Sequence, residues 1–155
     1  MVGNGAQMFS SIVVGTDGSQ TARRAVAVAG DLARGCGARL HLVHGFRDPG
    51  ETGLSLTGPR VPGDRRGDGA SMWRQASEDV LAAAAADPSL EGVDLELHSE
   101  VGGAAEVIIV VAERVGADLI VVGNRGMQGP RQPPEAVPNL VAHRAPCHVL
   151  IAKTT

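Results

Sequence analysis

The residues with most chemical potential are the glycines that end one apolar run. Asp118-Leu119-Ile120-Val121-Val122 reads as a buried strand and leads into Gly123-Asn124-Arg125-Gly126-Met127-Gln128-Gly129. Glycines spaced three apart at the carboxyl end of a parallel strand let the backbone aim its amides at a phosphate. The plainer reading is that they only permit a tight strand-to-helix turn. Downstream the pattern changes. Arg131-Gln132-Pro133-Pro134-Glu135-Ala136 stands where a phosphate loop would close on small residues and a free helix start. Two prolines remove amide donors, and a glutamate adds negative charge.

Asp17, in Gly15-Thr16-Asp17-Gly18-Ser19, is the second candidate. After a strand it either accepts from ribose hydroxyls or simply forms an Asx turn. Ser19, His44 and Asp17 hold the residue types of a hydrolase triad, but no Gly-x-Ser-x-Gly elbow accompanies them. Glu135 has two readings, a general base or a carboxylate in the first turn of the last helix, where the dipole favours it. No catalytic residue is expected. His41 and His44 are three apart on a strand, so they face opposite sides and cannot share a metal. His143 and His148 flank Pro146 with no carboxylate or cysteine to complete a ligand set. No metal site is expected. Cys36 and Cys147 are too few for a disulfide framework. Cys147 reads as a small hydrophobe opening a strand, and a reduced cytoplasm is the default compartment.

The elements that must position these residues follow from periodicity. The chain has 155 residues, enough for one domain with a proper core, and its 43% hydrophobic and 20% charged residues are ordinary for a globular protein. The aromatics are Phe9, Phe46 and Trp73 alone, so Ala, Val, Leu and Ile must build the core. A net charge of −3 gives no footprint for nucleic acid. No apolar run suits a membrane span, and 1–10 lacks the pattern of a secretory signal; it is expected to be a flexible extension before a domain over 11–155.

Ser11 to Gly15 predicts a first strand, and Ser19 an N-cap. Ala22, Ala25, Val26, Ala29, Leu32 and Ala33 share one helical face, stopped by Gly35 and Gly37. Arg39 to His44 is a second strand closed by Gly45. The Gly- and Pro-rich stretch over 46–70 is expected to be a mobile loop. A helix over 71–86 has Trp73, Ala76, Val80, Leu81 and Ala84 inside. Val93 to His98 alternates as a half-exposed strand. Ala104 to Val115 holds the β-branched run Val107-Ile108-Ile109-Val110-Val111, yet it is read as a helix. Its length exceeds a typical strand, Gly116 caps it, and parallel neighbours need a crossover. A fourth strand covers 118–122, a last helix 137–144 and a fifth strand 147–152. Five strands alternating with four helices specify an α/β fold: a doubly wound, mostly parallel open sheet with helices on both faces. Its ligand crevice lies outside the carboxyl ends of the strands, where Gly15-Thr16-Asp17, Gly45 and Gly123 to Gly129 could converge.

From Ser11 to Lys153 the chain resembles the universal stress protein family. The resemblance rests on Val14-Gly15-Thr16-Asp17-Gly18-Ser19, on His41-Leu42-Val43-His44, on Ala117 to Gly126, and on Val137-Pro138-Asn139 with His143-Arg144-Ala145-Pro146-Cys147. It implies ATP binding in one subgroup, through a glycine, two residues, a second glycine, nine residues, then glycine with serine or threonine. Gly123 and Gly126 match the first half. Strict spacing then falls on Ala136 and Val137; aligning on Val137-Pro138-Asn139 puts Glu135 and Ala136 there instead. Either way the phosphate clamp is degenerate. The resemblance maps adenosine contacts to Gly15, Thr16, Asp17, Gly45 and Val122; Gly123 and Gly126 are its phosphate-facing glycines, and Arg125 is expected in the same nucleotide site. The expected ligand is ATP or another adenine nucleotide, with magnesium only alongside ATP. The resemblance also implies a homodimer, through an apolar last strand over 147–152. The alternative is a dimeric interaction module that binds no nucleotide.

Overall fold

The computed structural model describes residues 7–47, 66–127, 129–130 and 133–155. The five strands are β1 (Ser11–Gly15), β2 (Arg39–Phe46), β3 (Leu95–Val101), β4 (Leu119–Gly123) and β5 (His148–Ala152). They form one parallel sheet in the order β3-β2-β1-β4-β5. The helices are α1 (Gln20–Cys36), α2 (Arg66–Ala85), α3 (Ala104–Val115) and α4 (Val137–Arg144), with a short 3-10 turn at Pro88–Leu90. Strand order reverses between β1 and β4, and the carboxyl ends there make the crevice expected of a doubly wound sheet.

The strands bury both faces. Ile12, Val14, Leu40, Leu42, Leu119 and Val121 pack with Ala25, Val26, Ala29 and Ala33 of α1 and Leu81 of α2. Val13, Val43, Ile120 and Val122 pack on the other face with Val107, Ile108 and Val111 of α3 and Val141 of α4. The small helix residues let the helices sit close on the sheet, so few aromatics are needed. The β-branched run of α3 is helical because this burial outweighs its strand propensity.

Helix α1 starts where Ser19 accepts from the Ala22 amide at 3.2 Å. It ends at left-handed Gly37, while Gly35 lies inside the helix rather than stopping it. Strand β2 runs through Gly45, which pairs with Glu100, so Gly45 does not close the strand. Strand β3 lies two residues later than expected at its start and continues to Val101. Helix α2 begins at Arg66, so 66–70 are helical and Phe46 belongs to β2; the rest of the expected 46–70 loop, 48–65, lies outside the described residues. Trp73 is 44% exposed, and Ser77, not Ala76, faces inward.

Residues 7–10 are tied to the domain. Asp118 accepts from the Ser10 amide (2.8 Å), the Ser10 hydroxyl (2.9 Å) and the Ser11 amide (3.1 Å). Residues 1–6 of the expected extension lie outside the described residues. Among the described residues no helix is long and apolar enough to cross a membrane.

Candidate functional site

Three turns meet at the switch point. After β1, the Thr16 hydroxyl accepts from the Gly18 amide at 3.2 Å and Asp17 Oδ1 accepts from the Ser19 amide at 2.9 Å. The Asx turn therefore forms, and it leaves Asp17 Oδ2 directed elsewhere. Burial alone would raise the Asp17 carboxyl; the Ser19 hydrogen bonds and the Arg125 charge outweigh it and hold it below the ordinary carboxylate value. After β4, the Met127 amide donates to the Asn124 carbonyl at 3.0 Å, and Gly126 has φ +87°. That is a type II turn with Gly126 at the position that demands positive φ. Arg125, at the turn's outer corner, extends its guanidinium to Asp17 Oδ2.

The third turn belongs to β2. A Cβ on Gly45 would lie 2.8 Å from the Gly102 carbonyl oxygen and 2.8 Å from Val107. At Gly45 β2 thus packs closely on the β3–α3 turn. Beside it His44 points to the face opposite His41, as the strand period requires. Its Nδ1 lies 2.7 Å from the Ser77 hydroxyl, which receives the Ser99 hydroxyl at 2.7 Å. Ser77 has then one proton to give, to His44 Nδ1, so a neutral His44 carries its own proton on Nε2. Burial holds the His44 imidazole below its ordinary value, against the pull of Asp17. Ser19 is engaged with Ala22 and Thr21 rather than with His44, which bonds Ser77.

Together these turns line a cavity of about 720 Å³. Gly15, Thr16, Asp17, Gly45, Val122, Gly123, Arg125 and Gly126 all border it. So do Glu135, Ala136 and Val137, the residues in the place of a clamp. These residues named from the sequence are brought to one crevice, whereas Gly129 at the end of the glycine turn does not border it. The structure adds Val107, Ile108 and Thr154, which sequence reasoning missed, and His44, which the sequence offered only as a triad member. Thr154 is 1% exposed: its amide and hydroxyl donate to Asn124 Oδ1 at 2.9 and 3.0 Å, and Arg24 donates to its carbonyl at 2.7 Å. Thr154 is thereby held beside Gly123. No spacing in the sequence signals that contact; it depends on β5 lying next to β4.

Glu135 precedes α4 rather than sitting in its first turn, which corrects the expectation of a dipole-stabilised carboxylate there. The α4 N-terminus begins after Ala136 with no side-chain cap, and Pro138 in its first turn supplies no amide. Arg131 and Gln132 lie outside the described residues. Cys147 is half-buried against the α3–α4 face, and burial raises its thiol.

With this geometry established, the comparisons agree. Residues 8–153 match the family model described as "Universal stress protein family". The chain is 30% identical over 148 residues to the universal stress protein YxiE of Bacillus subtilis, covering 94% of this chain and all of the relative. It is 34% identical over 155 residues to a universal stress protein of Thermus aquaticus, covering 94% of this chain and all of that one. Among solved structures, a universal stress protein in complex with cAMP superposes with a TM-score of 0.75 at 28% identity, over 95% of this chain and 99% of that one. One from Burkholderia pseudomallei gives a TM-score of 0.64, also at 28% identity, over 94% and 96%. This chain belongs to the universal stress protein family.

Proposed function

We propose that this chain is a regulatory protein that binds an adenine nucleotide with a short phosphate tail in the cavity at the β1–β4 switch. The carrying observation is convergence: residues from three separate turns, named from strand-end position and from the family resemblance, border one cavity of about 720 Å³, within the usual range for small-molecule sites. A relative 28% identical to this chain was solved with cAMP, which supports an adenine nucleotide here. Gly45 and Val122 would meet the nucleoside through backbone groups, and Gly15 and Thr16 would border it. Asp17 would accept from ribose hydroxyls. Gly123, Gly126 and Arg125 would face the first phosphate.

The outer lip is the weak part. Glu135 brings a negative charge where further phosphates would lie. Ala136 offers no hydroxyl, and Pro138 no amide. ATP binding is therefore lowered, and magnesium enters only with ATP. Binding, not catalysis, is the activity in this reading, and it operates in the cytoplasm. β5 is a sheet edge with Leu150 and Ile151 exposed, which supports a homodimer built on the 147–152 strand.

Native mass spectrometry of the purified protein tests this. The expected result is a dimer carrying an adenine nucleotide, lost in Asp17→Ala. A clean dimer that also takes up no added AMP would instead support an interaction module without nucleotide. That second reading is favoured by one observation, the Arg125 guanidinium already resting at the Asp17 carboxylate.

A further inference from the structure

A polar cluster is buried away from the cavity, on the sheet face covered by α3. In a parallel ladder, paired residues share a face, as do residues two apart on one strand. His41 of β2 pairs with Glu96 of β3, and His98 is two residues beyond Glu96. All three therefore project to the same side. His41 and His98 are 4% and 8% exposed, in a column that continues the apolar Val13 and Val43 positions. Two imidazoles are an expensive choice for an otherwise aliphatic face.

Their ligand atoms converge. His41 Nδ1 lies 3.0 Å from His98 Nε2. One Glu96 oxygen lies 3.7 Å from His41 Nδ1 and the other 3.6 Å from His98 Nε2. A tetrahedral zinc with bonds of about 2.0–2.1 Å holds its ligand atoms about 3.4 Å apart. The two nitrogens lie just inside that separation, and with one Glu96 oxygen the three donor atoms lie within 4.8 Å of one another, so modest side-chain movements suffice. We infer that His41, Glu96 and His98 form a site for a divalent transition metal, best suited to zinc, with a fourth position open to water. Two imidazole nitrogens and a carboxylate are a zinc ligand set. Glu96 is half exposed, which gives an ion a way in.

The surrounding charge fits. Glu96, Asp94 and Glu100 face Arg39 and Arg114: Arg39 reaches Asp94 at 2.9 Å and Glu96 at 3.5 Å, and Arg114 pairs with Glu100. Three carboxylates against two guanidiniums leave one negative charge for a cation to offset. Ligation through His98 Nε2 requires the proton on Nδ1, where Arg114 now approaches at 3.4 Å. That contact must open, and Glu100 already holds the guanidinium. The plainer reading is a histidine–histidine hydrogen bond with no ion. None of the three residues borders the nucleotide cavity, so the site stands apart from the proposed function.

Zinc alone, titrated into the chelator-treated full chain against a chromophoric zinc indicator, decides between them. We expect one zinc per chain at micromolar affinity or tighter, and weakening by about tenfold or more in Glu96→Gln and in His98→Gln. Circular dichroism checks both variants for folding; should His98→Gln not fold, half-exposed Glu96 decides alone. No stoichiometric zinc, or zinc bound equally well by Glu96→Gln, overturns the site.

Discussion

The Arg125 guanidinium lies 3.5 Å from the Asp17 carboxylate, bridging the ends of β4 and β1 across the mouth of the cavity. Both side chains are more than half exposed, 69% and 58%. Such a pair contributes little to stability, at most about 1 kcal/mol. Its consequence is for binding, because a ribose and a phosphate would meet these two groups together. Arg125→Ala should leave the melting temperature nearly unchanged and leave adenosine affinity within about threefold. AMP affinity should fall about tenfold, from loss of a charge-assisted contact. Calorimetry with both ligands checks this; equal losses for adenosine and AMP would refute a phosphate role.

Gly45 also has a packing role. A Cβ there meets the Gly102 carbonyl oxygen at 2.8 Å, and backbone cannot swing aside as a flexible side chain can. Gly45→Ala should cost about 1–3 kcal/mol, read as a lower urea midpoint with an unchanged slope. A neutral result would mean that β2 and the β3–α3 turn separate freely.

Asp118 ties 7–10 to the sheet. Burial would raise its carboxyl, but the Ser10 and Ser11 amides and the Ser10 hydroxyl win and hold it below the ordinary carboxylate value. A depressed folded value means the stabilisation is complete above the unfolded value and is lost as pH falls through the folded one. Asp118→Asn should cost about 1–2 kcal/mol at neutral pH, and the gap from the parent chain should narrow below about pH 4. A pH-independent gap would contradict the charge-assisted account.

Ser77 is 1% exposed and links His44 to Ser99. Ser77→Ala leaves His44 Nδ1 without this donor and should cost about 1–2 kcal/mol. Thermal unfolding checks it; a change under half of that would mean His44 finds another partner.

Ser77 also shows where the sequence misleads. An apolar stripe through Trp73, Ala76 and Val80 is a reasonable helical face, but the helix is turned so that a serine meets His44. A hydroxyl inside a helix is unreadable without knowing its polar partner on the sheet. By contrast, α3 and α4 are read residue for residue, because Gly116 and Pro146 punctuate them. Strand β1 is read at both ends, whereas several other strand ends shift by one to three residues because pairing partners, not local pattern, set them: β2 continues through Gly45 because Glu100 lies beside it. The cavity was legible, since topology sends every β-to-α turn to one edge of the sheet. The His41–Glu96–His98 cluster was not. The two-residue period along β2 separates His41 from His44, and only the β2–β3 pairing joins His41 to Glu96 and His98.

Parallel calorimetric titrations of AMP, cyclic AMP and ATP with magnesium test the central claim most directly. An intact adenosine crevice with a spoiled phosphate lip predicts that AMP or cyclic AMP binds at least as tightly as ATP. ATP bound at micromolar strength or better, and about tenfold or more above AMP (roughly 1.4 kcal/mol), would contradict it.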